Sequence, residues 1–215
     1  MINFVCVLQQ NKQVRKCIYN KEWVNKLYRG IQRNYTKPFN FYCLSNVKTD
    51  VETIPLKNNF TTWWSKIELF RKDLPFFNQK IFYLDLDIVI CNNFDNIENY
   101  LEDDKFYMLE GQSKKNVPNS SILSWQGDYS RLYTNFINNQ NSIKEKYRKG
   151  NNLGDQGYIY DNLTVDFLNQ KCPDLFSWIH PTHTKITHNS PFCIFIGKKK
   201  PVNNLNISIV KNNWN

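Results

Sequence analysis

Residues 63–90 read WWSKIELFRKDLPFFNQKIFYLDLDIVI, a helical pattern running into an apolar strand that ends on two carboxylates. Trp63, Ile67, Phe70 and Leu74 recur at helical spacing, which predicts a helix opening at Thr61 or Thr62 with these four inward. Pro75 should end it, since proline has no N–H with which to continue the ladder. Lys80–Leu84 (KIFYL) then reads as a central strand, with Asp85-Leu86-Asp87 at its carboxyl end. Ile88–Cys91 resumes the apolar run. A helix feeding a buried strand is the unit of an α/β sheet.

The alternation extends outward. Ile2–Leu8 reads as a buried first strand, and Asn20 can cap a helix to about Arg33 with Trp23, Leu27 and Ile31 on one face. Phe39–Leu44, Phe106–Leu109 and Ser121–Trp125 are further predicted strands. Asp128 should cap a helix that turns Tyr129, Leu132, Tyr133 and Phe136 inward, and Gly154-Asp155-Gln156 opens another. Cys193–Ile196 is the last predicted core strand, closed by Gly197 and three lysines. The order predicts an α/β fold with a mostly parallel central sheet and helices on both faces. Without repeat, linker or low-complexity tract, residues 1–215 are expected to form a single domain.

At 215 residues such a domain buries roughly 70% of the surface its unfolded chain exposes, so it needs no covalent staples. The six cysteines form no C-x-x-C pair, and Cys6, Cys43, Cys91 and Cys193 sit in apolar runs where a thiol behaves as a small hydrophobe. A disulfide framework and a zinc site are therefore not expected. The opening MINFVCVL lacks the basic flank of a signal peptide, and no stretch approaches the ~20 apolar residues of a membrane span. A cytoplasmic location follows as the expectation, with the Asn-x-Ser/Thr triplets at Asn34, Asn59, Asn119, Asn162 and Asn206 unmodified. The net charge of +9 attracts polyanions. Yet the lysines are scattered apart from Lys198, Lys199 and Lys200, and no nucleic-acid-binding motif accompanies them. Nucleic acid is not the expected partner; an anionic small substrate needs only a local patch.

Asp85 and Asp87 are the sharpest local chemistry. Two carboxylates at the end of a buried strand repel one another and lose hydration unless something positive neutralises them. At spacing two on an extended chain they share a face and can reach one cation. Hard oxygen donors suit Mn²⁺ or Mg²⁺ rather than zinc. Ligands of open α/β sheets bind at the carboxyl ends of strands, where this pair lies. A metal there, bound to a diphosphate, would act as a Lewis acid on the leaving group. Gly197 would let the backbone approach phosphate oxygens, with Lys200 and its neighbours completing the neutralisation.

The stretch from Trp63 to Ile90 resembles the core of glycosyltransferase family 8 and its relatives with the Rossmann-like GT-A fold. In that family a helix with a basic residue runs into Leu-Pro, and a strand then ends in Asp-x-Asp. Asn119-Ser120-Ser121 looks like the family's Asn-Ser-Gly segment, and Gly154-Asp155-Gln156 is similar to its Asp-Gln motif. Phe195-x-Gly197-x-x-Lys200-Pro201 looks like the tail of its His-Phe-x-Gly-x-x-Lys-Pro motif. The matches keep the family's order from Ile2 to Pro201, and the whole also resembles small glycosyltransferase domains of large DNA viruses.

The resemblance implies a metal-dependent enzyme that moves a sugar from a nucleoside diphosphate sugar, with UDP-sugar the expected donor, onto a hydroxyl of a glycan or glycoprotein. Retention of anomeric configuration is also implied. Asp85 and Asp87 would hold the metal, Asp85 lying also near the ribose. Lys66 would reach the nucleotide, Gly197 and Lys200 the diphosphate, and Leu8 and Gln9 would border the base. Asn119, Asp155 and Gln156 would line the sugar side, the last two at the reaction centre. One position departs from the pattern: the family's metal-binding histidine falls at Ile194, or at Ile196 in the closest alternative placement. One of His180, His183 and His188, a few residues upstream, would substitute, or water would fill the position. A nucleotidyltransferase is the second reading, although Leu8–Lys16 (LQQNKQVRK) has basic residues and no glycine. A non-catalytic nucleotide or sugar binder is the third.

Overall fold

β1 (Ile2–Leu8) sends Phe4, Cys6 and Leu8 to one face of a sheet and Val5 to the other, the period-two pattern of a strand covered on both sides. The computed structural model describes residues 1–10, 19–112, 115–148 and 153–215. Asn11–Lys16 of the basic segment, and Cys17, lie outside the described residues. β2 (Phe39–Ser45) and β3 (Glu52–Pro55) follow, then β4 (Ile81–Leu84), β5 (Val89–Ile90), β6 (Phe106–Glu110), β7 (Pro118–Trp125) and β8 (Val165–Phe167). A seven-stranded sheet runs in the order β3-β2-β1-β4-β7-β6-β8. Every neighbouring pair is parallel except the two made by β7, so the sheet is mostly parallel as expected. β4 lies at its centre, as KIFYL predicts.

Helices cover both faces. α1 (Lys21–Asn34) is capped by Asn20, whose side chain accepts from the Glu22 N–H, and it packs Trp23, Leu27 and Ile31 with Phe4 and Phe82. On the other face α2 (Ser130–Asn138), α3 (Gln140–Lys146) and α4 (Gly154–Asn162) share a second core with Val5, Tyr83 and Trp125. Asp128 accepts from the Ser130 N–H at the start of α2.

Two expectations for the segment before Pro75 are corrected. The helix before Pro75 is a 3₁₀ helix, Thr62–Phe70, that stops five residues before the proline. Its three-residue repeat turns Trp64, Ile67 and Phe70 inward together, which leaves Trp63 at the surface. The run Ile88–Cys91 does not continue the central sheet. β5 pairs antiparallel with β10 (Phe192–Phe195), which pairs in parallel with β9 (Phe176–Ile179), in a separate three-stranded sheet. The last predicted strand therefore belongs to that small sheet, where Phe192 stacks on Phe82 and Phe176. Cys6, Cys43, Cys91, Cys172 and Cys193 are free and buried. Among the described residues no helix is long and apolar enough to cross a membrane.

Candidate functional site

β4 delivers its chain to a cleft of about 600 Å³ at the carboxyl end of the sheet. The Asp85 N–H donates to the Ser121 carbonyl on β7 at 2.8 Å, and the Ile88 N–H donates back to the Asp85 carbonyl at 3.1 Å. Asp85-Leu86-Asp87 is thus a turn rather than extended chain. The pleat does not put the two carboxylates on one side; the turn does, by tucking Leu86 into the core while both carboxylates line the cleft.

Each carboxylate carries an ammonium. The Lys66 Nζ lies 2.9 Å from Asp85 Oδ1 and 3.5 Å from Asp155 Oδ2, and it donates to Ser120 Oγ at 3.0 Å. Burial alone would push Lys66 toward neutrality, but the charges of Asp155, Asp85 and Asp87 outweigh it and hold the ammonium above its ordinary range. The Lys200 ammonium bonds Asp87 Oδ2, the same oxygen that accepts from the Tyr19 hydroxyl at 3.1 Å. Burial raises the Asp87 carboxyl, and Lys200 opposes that rise. Asp155, also raised by burial and pulled down by Lys66, accepts from Ser120 Oγ at 2.8 Å. The N-cap residue of α4, Leu153, makes no side-chain capping bond, and Asp155 in the first turn lines the cleft. Three carboxylates and two lysines thus converge in one hollow, an arrangement typical of functional sites. A wider hollow of about 710 Å³ beside α1 holds only Asp50 and Glu52 as anions, and Asp50 is bound by Lys21 and Asn25.

Of the residues singled out from sequence, Lys66, Asp85, Asp87, Asn119, Asp155, Gln156, Gly197 and Lys200 line the cleft. Leu8 and Gln9 do not. The Leu8 side chain is wholly buried in the core under α1, because it falls on the inward phase of β1. Asn119 Oδ1 accepts from the Ser121 N–H, and Gln156 Oε1 accepts from the Ser120 N–H at 3.3 Å. Gly197 has φ +64°, a left-handed conformation that favours glycine. Three cleft residues escaped the sequence reading as site residues, Tyr19, Trp63 and Leu153, and so did Tyr83 behind Asp85. Tyr83 donates to Asp85 Oδ1 at 2.5 Å, and its place two residues before Asp85 could have suggested a shared face. Nothing in sequence links Tyr19 to Asp87, 68 positions away.

The donor set for a cation is partial. Ile194 is fully buried, Ile196 lines the cleft as an apolar side chain, and none of the three histidines does so. The His180 and His183 rings lie against each other, 3.7 Å between centroids, on an outer loop. Among the described residues no three His, Cys, Asp or Glu side chains cluster as a metal group. Asp85 and Asp87 nevertheless offer hard oxygens, and both contacts to Asp87 fall on Oδ2. That fits a Mg²⁺ or Mn²⁺ ion held by two carboxylates, with its remaining positions filled by substrate phosphate and water.

The sheet order, the small sheet beside it and the cleft at the end of β4 define the GT-A fold of glycosyltransferases. Over 99% of this chain and 96% of the other, it is similar to the crystal structure of galactosyltransferase LgtC in complex with donor and acceptor sugar analogs, at 11% identity and a TM-score of 0.61. A glycosyltransferase involved in glycosylation of the major capsid of PBCV-1 matches 98% of this chain over 97% of its own, at 13% identity and TM-score 0.55. The glycosyltransferase GlyE of Streptococcus pneumoniae TIGR4 matches at 12% identity and TM-score 0.62, over 94% of this chain but 56% of GlyE. At such identities the likeness is one of fold. No protein-family model and no curated protein matches the chain.

Proposed function

We propose that the cleft binds a nucleoside diphosphate sugar, with UDP as the nucleotide, and transfers the sugar to a hydroxyl of a glycan or glycoprotein with retention at the anomeric carbon. The observation that carries this reading is the placement of Lys66 and Lys200 as counterions on Asp85 and Asp87 in a GT-A cleft. A diphosphate arriving there finds two ammonium groups that can turn to it, and their departure bares the carboxylates. Asp85 and Asp87 would then hold Mn²⁺ or Mg²⁺, whose positive charge supplies Lewis-acid screening of the leaving diphosphate. Lys200 would bond a phosphate oxygen, and Gly197 beside it leaves the backbone open to approach. Asp155 and Gln156 would orient the sugar hydroxyls and the reacting carbon. The missing histidine counterpart at Ile194 favours a second reading, a binder without turnover, which release of UDP from UDP-sugars would exclude.

UDP is expected to raise the melting temperature with Mn²⁺ or Mg²⁺ present and not in EDTA. Ligand at a hundred times its dissociation constant adds ~2.7 kcal/mol of stability, well within reach of a thermal melt. Equal shifts with and without metal would remove the carboxylate–metal–diphosphate reading.

Lys200→Ala is expected to weaken UDP binding by about tenfold or more, while Lys198→Ala and Lys199→Ala change it less than about twofold. A charge-assisted hydrogen bond contributes roughly 1.5–3 kcal/mol and a solvated lysine little. Titration calorimetry of the three variants decides it; small, equal effects would make the cluster an ordinary basic turn.

A further inference from the structure

Trp63 is the only aromatic residue among the exposed large hydrophobic side chains of the described residues, 38% accessible, and it lines the cleft. Its neighbour Trp64 does what an indole ordinarily does in a core, stacking on Phe136 at 4.9 Å between centroids. Adjacent residues of the same type have thus been sent to opposite destinations.

The exposed indole is held in place. A Cβ on Gly154 would meet Trp63 Nε1 at 2.3 Å and Cε2 at 2.8 Å, so the pyrrole edge rests directly on the glycine backbone. Thr62, Leu153 and Gly154 all have φ near +60°, with two of the three carrying side chains that resist this conformation. Backbone strain of this kind persists where surrounding structure requires it, and it gathers at functional sites. Here it brackets the contact between Gly154 and the indole.

Position along the cleft indicates what the indole faces. Direct contacts run from Tyr19, Lys200 and Asp87 at one end, through Asp85 and Lys66, to Ser120 and Asp155. Trp63 rests on Gly154, the residue next to Asp155, and so belongs to the Asp155 side of this chain of contacts. An aromatic face beside carboxylate and amide groups suits a pyranose ring, whose C–H face stacks on the negative π surface while its hydroxyls reach polar groups. We infer that Trp63 is the stacking platform for the sugar ring of the acceptor, a site that rests on reading the opposite end as the diphosphate site.

The test uses the full chain and simple probes. Methyl α- and β-pyranosides of glucose, galactose and mannose are presented with saturating UDP and Mn²⁺, and contact is read by saturation-transfer NMR. At least one should give a signal with wild type, fall about tenfold in Trp63→Ala and persist in Trp63→Phe. UDP titrations of the same proteins should superimpose. No pyranoside signal in wild type, or an equal signal in Trp63→Ala, overturns the platform. A tenfold loss of UDP-glucose and UDP-galactose affinity in Trp63→Ala, with UDP unaffected, also overturns it by moving the indole to the donor sugar. Wild type that binds pyranosides through Trp63 but shows no response to UDP keeps the platform and refutes the nucleotide reading instead.

Discussion

Asp87→Asn is expected to reduce sugar transfer below about one per cent of wild type, a loss of roughly 2.7 kcal/mol or more in transition-state stabilisation. The substitution preserves volume in a buried position, so packing around Leu86 and Tyr19 should survive. Two opposed changes in stability accompany it. Lys200 loses its anionic partner, whereas a carboxylate that burial pushes toward protonation is no longer ionised there. The Lys200 side chain is 20% accessible and can recover water, which limits the first. A net change of about 1 kcal/mol would move the melting temperature by ~2–4 °C in a chain of this size. Transfer assays and melts on one preparation separate function from folding. Turnover near that of wild type would sink the assignment of Asp87 to the diphosphate end.

Asp155→Asn and Gln156→Ala are each expected to lower kcat at least about tenfold while leaving UDP affinity nearly unchanged, a selective loss of ~1.4 kcal/mol in the chemical step. Displacing a diphosphate builds positive charge at the anomeric carbon, and an oxygen facing it stabilises the transition state more than the ground state. Gln156 offers a neutral carbonyl for this, now bonded to the Ser120 N–H by a long 3.3 Å contact that a substrate can replace. The rival role is structural: Asp155 holds Lys66 and Ser120 in place. A purely structural Asp155 would lower the melting temperature and leave kcat intact, because Lys66 also has Asp85 as a partner. Measuring kcat, UDP affinity and melting temperature together distinguishes the two.

Much of the fold was readable because its signals are local. The alternation in Ile2–Leu8, the Asn20 cap and the KIFYL strand all depend on residues within a turn or a pleat of one another, and each appears where expected. Asp85, Asp87 and Lys200 could be singled out by residue type and spacing because polar groups beside apolar runs are conspicuous, whereas Asp155 and Gln156 were singled out by resemblance to a family motif. Where the Leu8 side chain goes could not be read from sequence, since the phase of β1 relative to α1 decides whether it faces the cleft or the core. Trp63 and Trp64 show the same limit more sharply. Their neighbourhood is common to both, and the three-residue repeat, with Trp64 stacked on Phe136, turns one inward and the other out.

The sequence by itself determined the α/β class, the central strand and the residue types that the cleft contains, since hydrophobic period and chain-local hydrogen bonding are written residue by residue. Tertiary structure alone decided that β7 runs antiparallel, that Ile88–Cys91 leaves the main sheet, and that Tyr19 and Lys200 meet on one oxygen of Asp87. Lys200 lies 113 positions from Asp87 along the chain. Such pairings are settled by which surfaces bury most apolar area against each other, a property of the whole packed chain that no window of sequence contains.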